Sequence, residues 1–544
     1  MKSSNVIINT FFAFFNAATR WMDGSAILSG LSAFLDFLKR VAMSSFIIGL
    51  FIGDESPSEE IATHSVILKP IHKILNGLPK PIQSVQTFPS KLSHLMAGSW
   101  LIHYLCKALD LGIPAPKTLG RRAAANNILQ YILYAAPILG MAVIVLALPF
   151  LPTMILAAAL IPVYVLILLS RKFVIDKTAV FLLLFIIISL IAALLSLEPR
   201  SSINIALLSV IFIFSMLAIT ATVKTENNIE FFLMTFIFSA ALTGLFGIFQ
   251  MLTAGRADTW LDREIHTDIG ARIGSTFSNP NVYGTYLLLA IPVAAAGIIY
   301  FKGWFLKICS AGATALLLIC LLLTYSRGCY LALAIGVAAF AFIMSKRMII
   351  LAIPVVIALP FILPLILPAT VLNRLLSVVN MADTSTIFRL AIWQGSIRIL
   401  QDFWLSGVGQ GLAAFNRVYP YYALAAAGTQ HAHNLFLVIF IETGITGFLV
   451  FLGCIVCFFR THINFVKNTN SIKYKTMSAA MMAAMIAFLF QSIFDHTFFN
   501  YRVMLMFFLF MGMSIAFTRI YWTEKKMVKE AALKTLVSGY YDEH

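Results

Sequence analysis

The sequence predicts an all-α polytopic membrane protein. Of its 544 residues, 60% are hydrophobic and only 11% are charged, and the mean hydropathy is +0.90. These values lie outside the range of soluble globular domains. From about residue 128 onward, apolar stretches of roughly 17 to 25 residues recur, and a helix of that length crosses a hydrocarbon core of about 30 Å. A helix satisfies its own backbone hydrogen bonds in lipid, which makes it the expected spanning element.

Twelve spanning helices are predicted, near residues 129–150, 152–170, 177–197, 202–223, 229–252, 282–300, 304–324, 328–344, 347–368, 433–459, 476–495 and 501–519. One set of the loops between them carries lysines, among them Lys172, Lys224 and Lys302, and the positive-inside rule places this set in the cytoplasm. The C-terminal tail continues the set with Lys525 and Lys526. An even number of spans then puts both termini in the cytoplasm.

The loops of the opposite set contain arginine and, by this assignment, no lysine. Their arginines are Arg200, Arg256, Arg263, Arg272, Arg327, Arg374, Arg389, Arg398, Arg417 and Arg502. Arginine stays charged at any working pH, and its planar fork of donors fits a phosphate bidentately. An outer face with arginine alone therefore indicates a bound diphosphate. The alternative is that some of these arginines cap helices or contact lipid head groups.

The chain divides into three predicted regions. Residues 1–127 form an N-terminal cytoplasmic or interfacial amphipathic region, because their apolar runs are too short to span and are broken by charges. Residues 128–519 form the transmembrane domain, with long extracytoplasmic loops at about 253–281 and 369–432, and residues 520–544 form a cytoplasmic tail. The net charge of +16 is spread over short loops, which indicates topology and contact with anionic membrane lipids and no nucleic-acid partner.

Six cysteines are present, and five of them lie in or at the edge of apolar stretches, so no disulfide framework is expected. Cys454 and Cys457 form a C-x-x-C inside a predicted span. Because no second cluster is present to complete a metal site, they are expected to pack between helices.

The second long outer loop is rich in Phe, Trp, Tyr and Leu, and we expect it to fold over the membrane surface. Residues 385–401 predict an amphipathic helix, with Phe388, Ile392 and Ile399 recurring near helical spacing. The glycine-rich segment 406–411 that follows predicts a turn. Its G-x-G-x-G is no dinucleotide site, because no strand precedes it and no βαβ unit surrounds it.

Three short motifs carry the residues that suit chemistry. Residues 270–281 end in Asn-Pro-Asn at the start of a span, where such residues favour helix initiation, and Gly274 allows close backbone approach. Thr-Tyr-Ser-Arg-Gly at 324–328 places a guanidinium at head-group depth. Gln-His-Ala-His-Asn at 430–434 carries histidine, whose ordinary pKa is near neutrality, and Glu-Thr-Gly-Ile-Thr-Gly follows at 442–447.

Together these motifs resemble the O-antigen ligase and O-antigen polymerase superfamily of bacterial membrane glycosyltransferases, over about residues 272–447. The resemblance implies a GT-C-like, metal-independent and inverting enzyme with no cofactor. It implies an undecaprenyl-diphosphate-linked glycan as donor and a glycan, lipid or protein as acceptor, at the outer face of the bacterial cytoplasmic membrane. Other polysaccharide-assembly proteins of the cell envelope are further partners in this interpretation.

By this resemblance, His433 matches the essential histidine of the family, and Arg272 and Arg327 match its diphosphate-facing arginines. Arg389, in an R-x-x-x-W step to Trp393, resembles a recurring position in the large outer loop. A sugar hydroxyl is a poor nucleophile until a base removes its proton, and fixed arginines stabilise the negative charge of a diphosphate leaving group.

Four residues are expected to support the site: Asn279, Asn434, Glu442 and Asp495. Glu442 follows His433 by nine residues, which on a regular helix is roughly the opposite face and about 13 Å away. We therefore expect Glu442 to bind between helices, with Gly444 and Gly447 allowing close packing. Asp495 and His496, at the outer end of the eleventh predicted span, are better placed to reach the site.

Several alternatives remain open at this point. His433 could be an ordinary interfacial residue at a helix start, and His431-x-His433 could ligate a metal, although the nearby sequence has no third or fourth ligand at a convincing spacing. Twelve spans also suit a lipid-linked oligosaccharide flippase or other polysaccharide transporter, although no two similar halves are present. A structural partner of an envelope-assembly complex is a third class. The sequence does not separate a polymerase from a ligase.

Overall fold

The computed structural model describes seven stretches of the chain: residues 177–223, 225–253, 272–345, 364–365, 368–376, 384–424 and 429–542. Within these residues the regular structure is helical throughout, as the composition predicts. The α-helices are α1 (Lys177–Leu194), α2 (Pro199–Thr222), α3 (Glu226–Thr253), α4 (Pro280–Tyr300), α5 (Trp304–Leu323), α6 (Arg327–Met344), α7 (Ala369–Leu376), α8 (Thr384–Phe403), α9 (Leu412–Val418), α10 (Leu435–Asn468), α11 (Ile472–Phe494) and α12 (Tyr501–Asp542).

Nine helices of the described part are long and apolar enough to cross a membrane, which confirms the predicted polytopic class. They correspond to nine of the twelve predicted spans, with most ends displaced by a few residues, although α10 continues well beyond the predicted end at 459, to Asn468. The predicted spans at 129–150 and 152–170 lie outside the described residues, as do nearly all of the span at 347–368, the whole of residues 1–127 and most of the loop at 253–281. The predicted tail from residue 520 continues the last spanning helix, since α12 runs without interruption to Asp542.

Helices α4, α11 and α12 form the centre of the bundle, because most of their residues are buried, whereas α5 and α6 expose most of theirs to the surroundings. Small side chains bring the outer helix α6 close to the central helix α11. A Cβ at Gly336 of α6 would lie 3.0 Å from both the carbonyl oxygen of Ala483 and the Cβ of Ala487 on α11. In lipid, where apolar surface alone drives little association, such close backbone packing supplies much of the attraction. Cys454 and Cys457 are buried in α10, in agreement with a packing role.

One end of the bundle is held by cations that the sequence assigns to the cytoplasmic set. Lys473 Nζ lies 2.7 Å from Glu226 Oε1 and 4.4 Å from the ring centroid of Tyr300. Arg519 Nη2 donates to the carbonyl oxygen of Val223 at 2.8 Å, just beyond the last turn of α2. These contacts tie α2, α3, α4, α11 and α12 together. The arginine-bearing motifs lie at the opposite end.

The predicted amphipathic helix is confirmed as α8, which packs against α10. Ile392 and Ile399 are fully buried in a small second core with Val408 and Phe415, so the large loop folds onto the bundle end. Phe388, the third residue of the predicted stripe, is 43% exposed. The centroid of its ring instead lies 6.4 Å from that of His433, a residue of the site described next.

Candidate active site

The loop before α4, predicted to initiate that helix, does so through Asn279. Its side chain accepts hydrogen bonds from the backbone N–H of Asn281 at 2.8 Å and of Val282 at 3.3 Å, and Pro280 occupies the first turn. This is N-capping, in which a side-chain oxygen satisfies backbone donors that the helix leaves unpaired. Close approach at Gly274 is also confirmed, because a Cβ there would lie 2.9 Å from the carbonyl carbon of Ser278.

Arg272 joins this loop to the end of α5. Its Nε donates to the carbonyl oxygen of Thr324 at 2.8 Å, and its Nη2 donates to Asn281 Oδ1 at 2.9 Å. The backbone adds a bond from Ile273 N to the carbonyl oxygen of Leu323 at 3.0 Å. Arg272 therefore binds the C-terminal end of a helix, as the capping alternative expects, while its half-buried guanidinium is held in one orientation at the arginine-bearing end.

Arg327 and Arg389 lie at the same end. Arg327 begins α6, and the adjoining Gly328 is so close to α11 that a Cβ there would lie 3.2 Å from Cδ of Gln491, one helical turn before Asp495. Arg389 lies on α8, and its positive charge acts on Asp495. The structure thus brings both predicted arginines to the region around Asp495. Arg502 behaves differently, because its Nη1 donates to the carbonyl oxygen of Thr276 and so holds the first loop.

His433 and Asp495 form a pair across 62 residues of sequence, with Nδ1 of the ring 3.3 Å from Oδ1 of the carboxylate. Burial alone would raise the pKa of Asp495, but the hydrogen bond and charge of His433, with the charge of Arg389, bring that pKa well below its usual value. An ionised carboxylate only accepts hydrogen bonds, so the neutral ring carries its proton on Nδ1. Nε2 of His433 then has a lone pair to accept another proton.

His431 shapes the turn that presents His433. Its Nδ1 accepts the backbone N–H of His433 at 3.3 Å, and the two ring centroids are 4.2 Å apart. Burial is the main cause that lowers the pKa of His431 to about 4, and the positive charge of His433 acts in the same direction. The ring therefore stays neutral at ordinary pH and keeps its acceptor. This role was not predicted from the sequence, although a side-chain acceptor two residues before a backbone donor is a known turn pattern.

All non-glycine residues with a left-handed backbone in the described part lie in the predicted motif loops. They are Ser275 and Ser278 before α4, Tyr325 between α5 and α6, and His433 before α10, with φ between 46° and 63°. Such conformations are unfavourable for residues with a Cβ and persist only where surrounding structure imposes them. The clustering of strained residues at one end of the bundle supports a functional site there.

Asn434 and Glu442 hold α10 in place. Asn434 is the N-cap of α10, since its side chain accepts the backbone N–H of Leu437 at 3.0 Å. Glu442 links two helices, but one of them is short: its Oε1 accepts the backbone N–H of Gly411, the N-cap of α9 in the glycine-rich turn, at 2.8 Å. The helix is also interrupted at Gly444, with φ 67° and ψ −174°. The backbone at this interruption packs against the backbone of Leu405 and Gly407, at the start of the glycine-rich turn.

The predicted turn at 406–411 is confirmed, and its three glycines all have positive φ. Its backbone is bonded to α10 through Val408 N to the carbonyl oxygen of Ile441 at 2.8 Å and Gly409 N to that of Glu442 at 3.2 Å. It is bonded to the start of α2 through Ser202 Oγ, which donates to the carbonyl oxygen of Gln410 at 2.8 Å. We call this arrangement, together with the Glu442 bond, the glycine interlock.

A third donor for the metal alternative comes from a distant part of the chain. Three possible ligand atoms lie within 4.8 Å of one another, one from each of His431, His433 and Asp495. The expectation that no third ligand is available therefore holds for the neighbouring sequence only. Both Nδ1 atoms already take part in hydrogen bonds, so a metal ion would have to use the Nε2 atoms or replace those bonds.

A family model described as O-antigen ligase matches residues 312–452. The matched range contains Arg327, Arg389 and His433, while Arg272 and Asp495 lie outside it. No curated protein matches the chain significantly. The family match confirms the resemblance seen in the motifs, and the spanning helices fit it. Residues 312–452 of this membrane protein are therefore similar to the O-antigen ligase family, which supports the O-antigen ligase and polymerase superfamily.

Proposed function

We propose that the protein transfers a glycan from an undecaprenyl-diphosphate carrier to an acceptor hydroxyl at the outer face of the bacterial cytoplasmic membrane. The family match points to glycan transfer of the ligase or polymerase type in cell-surface polysaccharide synthesis. The observation that carries the finer proposal is the pair of His433 and Asp495, half-buried at the bundle end where the arginine motifs meet. This pair has the composition and the geometry of an oriented general base.

In the proposed reaction, Nε2 of His433 removes the proton of the acceptor hydroxyl as its oxygen attacks the anomeric carbon. The bond from that carbon to the diphosphate breaks, and undecaprenyl diphosphate leaves with the electron pair. Attack from the side opposite the leaving group inverts the anomeric configuration. Asp495 stabilises the imidazolium that forms. General base catalysis of this kind typically contributes about 10² to 10⁴-fold.

Arg272, Arg327 and Arg389 are proposed to bind the diphosphate. Its negative charge increases as the glycosidic bond breaks, so fixed cations stabilise the transition state more than the bound substrate. The two hydrogen bonds of Arg272 to Thr324 and Asn281 support this role, because they orient the guanidinium before substrate arrives. With arginines in this position, we propose a metal-independent reaction.

The test uses purified protein in proteoliposomes with a defined undecaprenyl-diphosphate oligosaccharide, candidate acceptors and mass spectrometry of the products. We expect transferred or elongated glycan with release of undecaprenyl diphosphate, unchanged by a chelator. Elongation indicates a polymerase, and transfer to a different acceptor indicates a ligase. Donor that crosses the bilayer without a new glycosidic bond supports the flippase instead, and loss of product with chelator supports the metal alternative.

Variants make the test specific. Arg272→Ala, Arg327→Ala and His433→Ala should each leave the protein inserted and remove most transfer, and Arg272→Lys should rescue little because the planar fork is lost. Arg417→Ala is the matched control, because Arg417 is also an arginine of the outer set. Its side chain is 70% exposed, and its Nε lies 4.0 Å from Glu198 Oε1. An exposed ion pair at this distance contributes little to stability. Transfer at the wild-type rate by His433→Ala would remove the proposed base.

A further inference from the structure

A cavity lies beside His431 on the side of α1, α2, α9, α10 and α12. His431 and His496 line it, whereas His433, whose ring contacts that of His431, does not. The Arg272 and Arg327 motifs belong instead to α4, α5 and α6. Substrates therefore have two distinct surroundings near the candidate base: one with arginines, and one formed by this cavity.

Among the residues that the structure describes, the cavity lining includes no lysine and no arginine. It presents polar groups that exchange hydrogen bonds with hydroxyls, from Gln410, Gln430 and Glu442. Five aromatic side chains complete it: Phe185, Phe415, Phe498, Phe499 and Tyr501. Without a cation, the cavity has nothing to balance the charge of a diphosphate or a phosphorylated sugar. Aromatic faces with a few directed polar groups suit a neutral sugar ring, which has apolar C–H faces and hydroxyl edges.

Two buried polar atoms of the lining have no hydrogen-bond partner among the described residues. The side chain of Gln410 is 3% exposed and its Oε1 is unpaired, and Nδ1 of His496 is unpaired as well. Leaving buried polar atoms unpaired is unfavourable, so such atoms indicate a ligand or water that completes them. The glycine interlock fixes the position of Gln410. Ser202 Oγ donates a hydrogen bond to its carbonyl oxygen, and the backbone N–H of the adjoining Gly411 donates to Glu442.

We propose that this cavity is the acceptor subsite and that it binds a neutral, hydroxyl-rich sugar, with the reactive hydroxyl directed to His433. The proposal rests on the proposed function. Hydroxyl groups of the sugar donate to Gln410 Oε1 and to the carboxylate of Glu442. The donor diphosphate and the acceptor sugar are thereby separated by charge. The diphosphate requires the arginines, and the sugar enters the cavity, whose described lining includes none.

Binding is tested separately from transfer by cysteine protection. Leu412, on the cavity wall, is changed to cysteine in the full chain in nanodiscs, and its labelling by a maleimide is followed by mass spectrometry. The probes are n-octyl β-D-glucoside and n-octyl β-D-galactoside below their micellar concentrations, with n-octyl phosphate as the anionic control. The naturally exposed Cys309 reports general access of the reagent.

We expect at least one glycoside to slow labelling at position 412 several-fold without affecting Cys309, while octyl phosphate does not. Adding His433→Ala should leave this protection intact, so the binding result stands even where glycan transfer is never observed. Adding Gln410→Ala should abolish protection, whereas Gln250→Ala, a glutamine outside the cavity, should not. Equal protection by octyl phosphate, absence of protection by both glycosides, or full protection in Gln410→Ala would each overturn the proposal.

Where transfer is established, kinetics give a second readout. Gln410→Ala should raise the KM for the acceptor roughly three- to tenfold, the equivalent of one hydrogen bond, without changing the KM for the donor. Leu412→Trp, which fills the cavity and removes no hydrogen bond, should raise the same KM. A change in donor KM alone, or none in acceptor KM for both variants, would contradict an acceptor subsite here.

Discussion

Gly444→Ala should disrupt the glycine interlock and with it the candidate site. Gly444 has φ 67° and ψ −174°, a region open almost only to glycine, so an L side chain there costs about 1–3 kcal/mol. A Cβ would also lie 2.7 Å from the carbonyl carbon of Leu405 and 3.1 Å from the backbone nitrogen of Gly407, and it would overlap the Leu405 oxygen. Because these neighbours are backbone atoms, overpacking adds about 1–3 kcal/mol.

The matched control is Gly312→Ala. Gly312 lies on α5, is exposed, and has no atom within 4 Å of a Cβ placed on it. Alanine in a helix interior is favoured over glycine by roughly 0.5–1 kcal/mol, so this variant should be neutral or slightly stabilised. Thermal unfolding in detergent, followed by tryptophan fluorescence, compares the two variants with the wild type at equal protein concentration.

We expect Gly444→Ala to unfold at a clearly lower temperature, in keeping with a loss of about 2–6 kcal/mol from the two contributions above. Glycan transfer should fall as well. The turn that Gly444 contacts is bonded to Glu442, and Glu442 lies on the same part of α10 that begins just after His433. A Gly444→Ala protein as stable and as active as Gly312→Ala would refute the argument that this close approach requires glycine.

Substitutions at three residues test the histidine turn and its supports. His431→Asn retains an acceptor for the backbone N–H of His433 and should keep most transfer, whereas His431→Leu should lower kcat about tenfold to a hundredfold with little change in KM. Since burial lowers the folded pKa of His431 to about 4, only the unfolded chain takes up its proton between about pH 6.5 and 4, and stability should fall as pH decreases through that window, less steeply in His431→Asn. Asp495→Asn should lower kcat about 10²-fold or more and alter the pH–rate profile, because the amide no longer selects the Nδ1–H form of His433; an unchanged profile would contradict the pairing. Asn434→Ala should destabilise the protein by about 1 kcal/mol through loss of the α10 cap, with Asn434→Ser as the conservative control, measured by thermal unfolding.

Local features of the chain were predictable from the sequence because their causes act over a few residues. Hydropathy over about 20 residues predicts a spanning helix, and the described helices agree with nine of the predicted spans. Asn279 before Pro280 predicts a helix start for the same local reason, since a side-chain oxygen needs only the next backbone donors. The three motif segments and the turn at 406–411 were recognised in this way.

Only the tertiary structure decided which of these segments meet. His433 contacts Asp495 across 62 residues of sequence, and Arg272 bonds to Thr324 across 52. Both contacts form because the helices between these residues return the chain to one end of the bundle. Helical spacing counted from His433 could not identify the partner of Glu442, since that partner, Gly411, belongs to a distant turn. Sequence periodicity determines which face a residue occupies within its own helix, whereas the partner across a bundle depends on packing between helices that share no local signal.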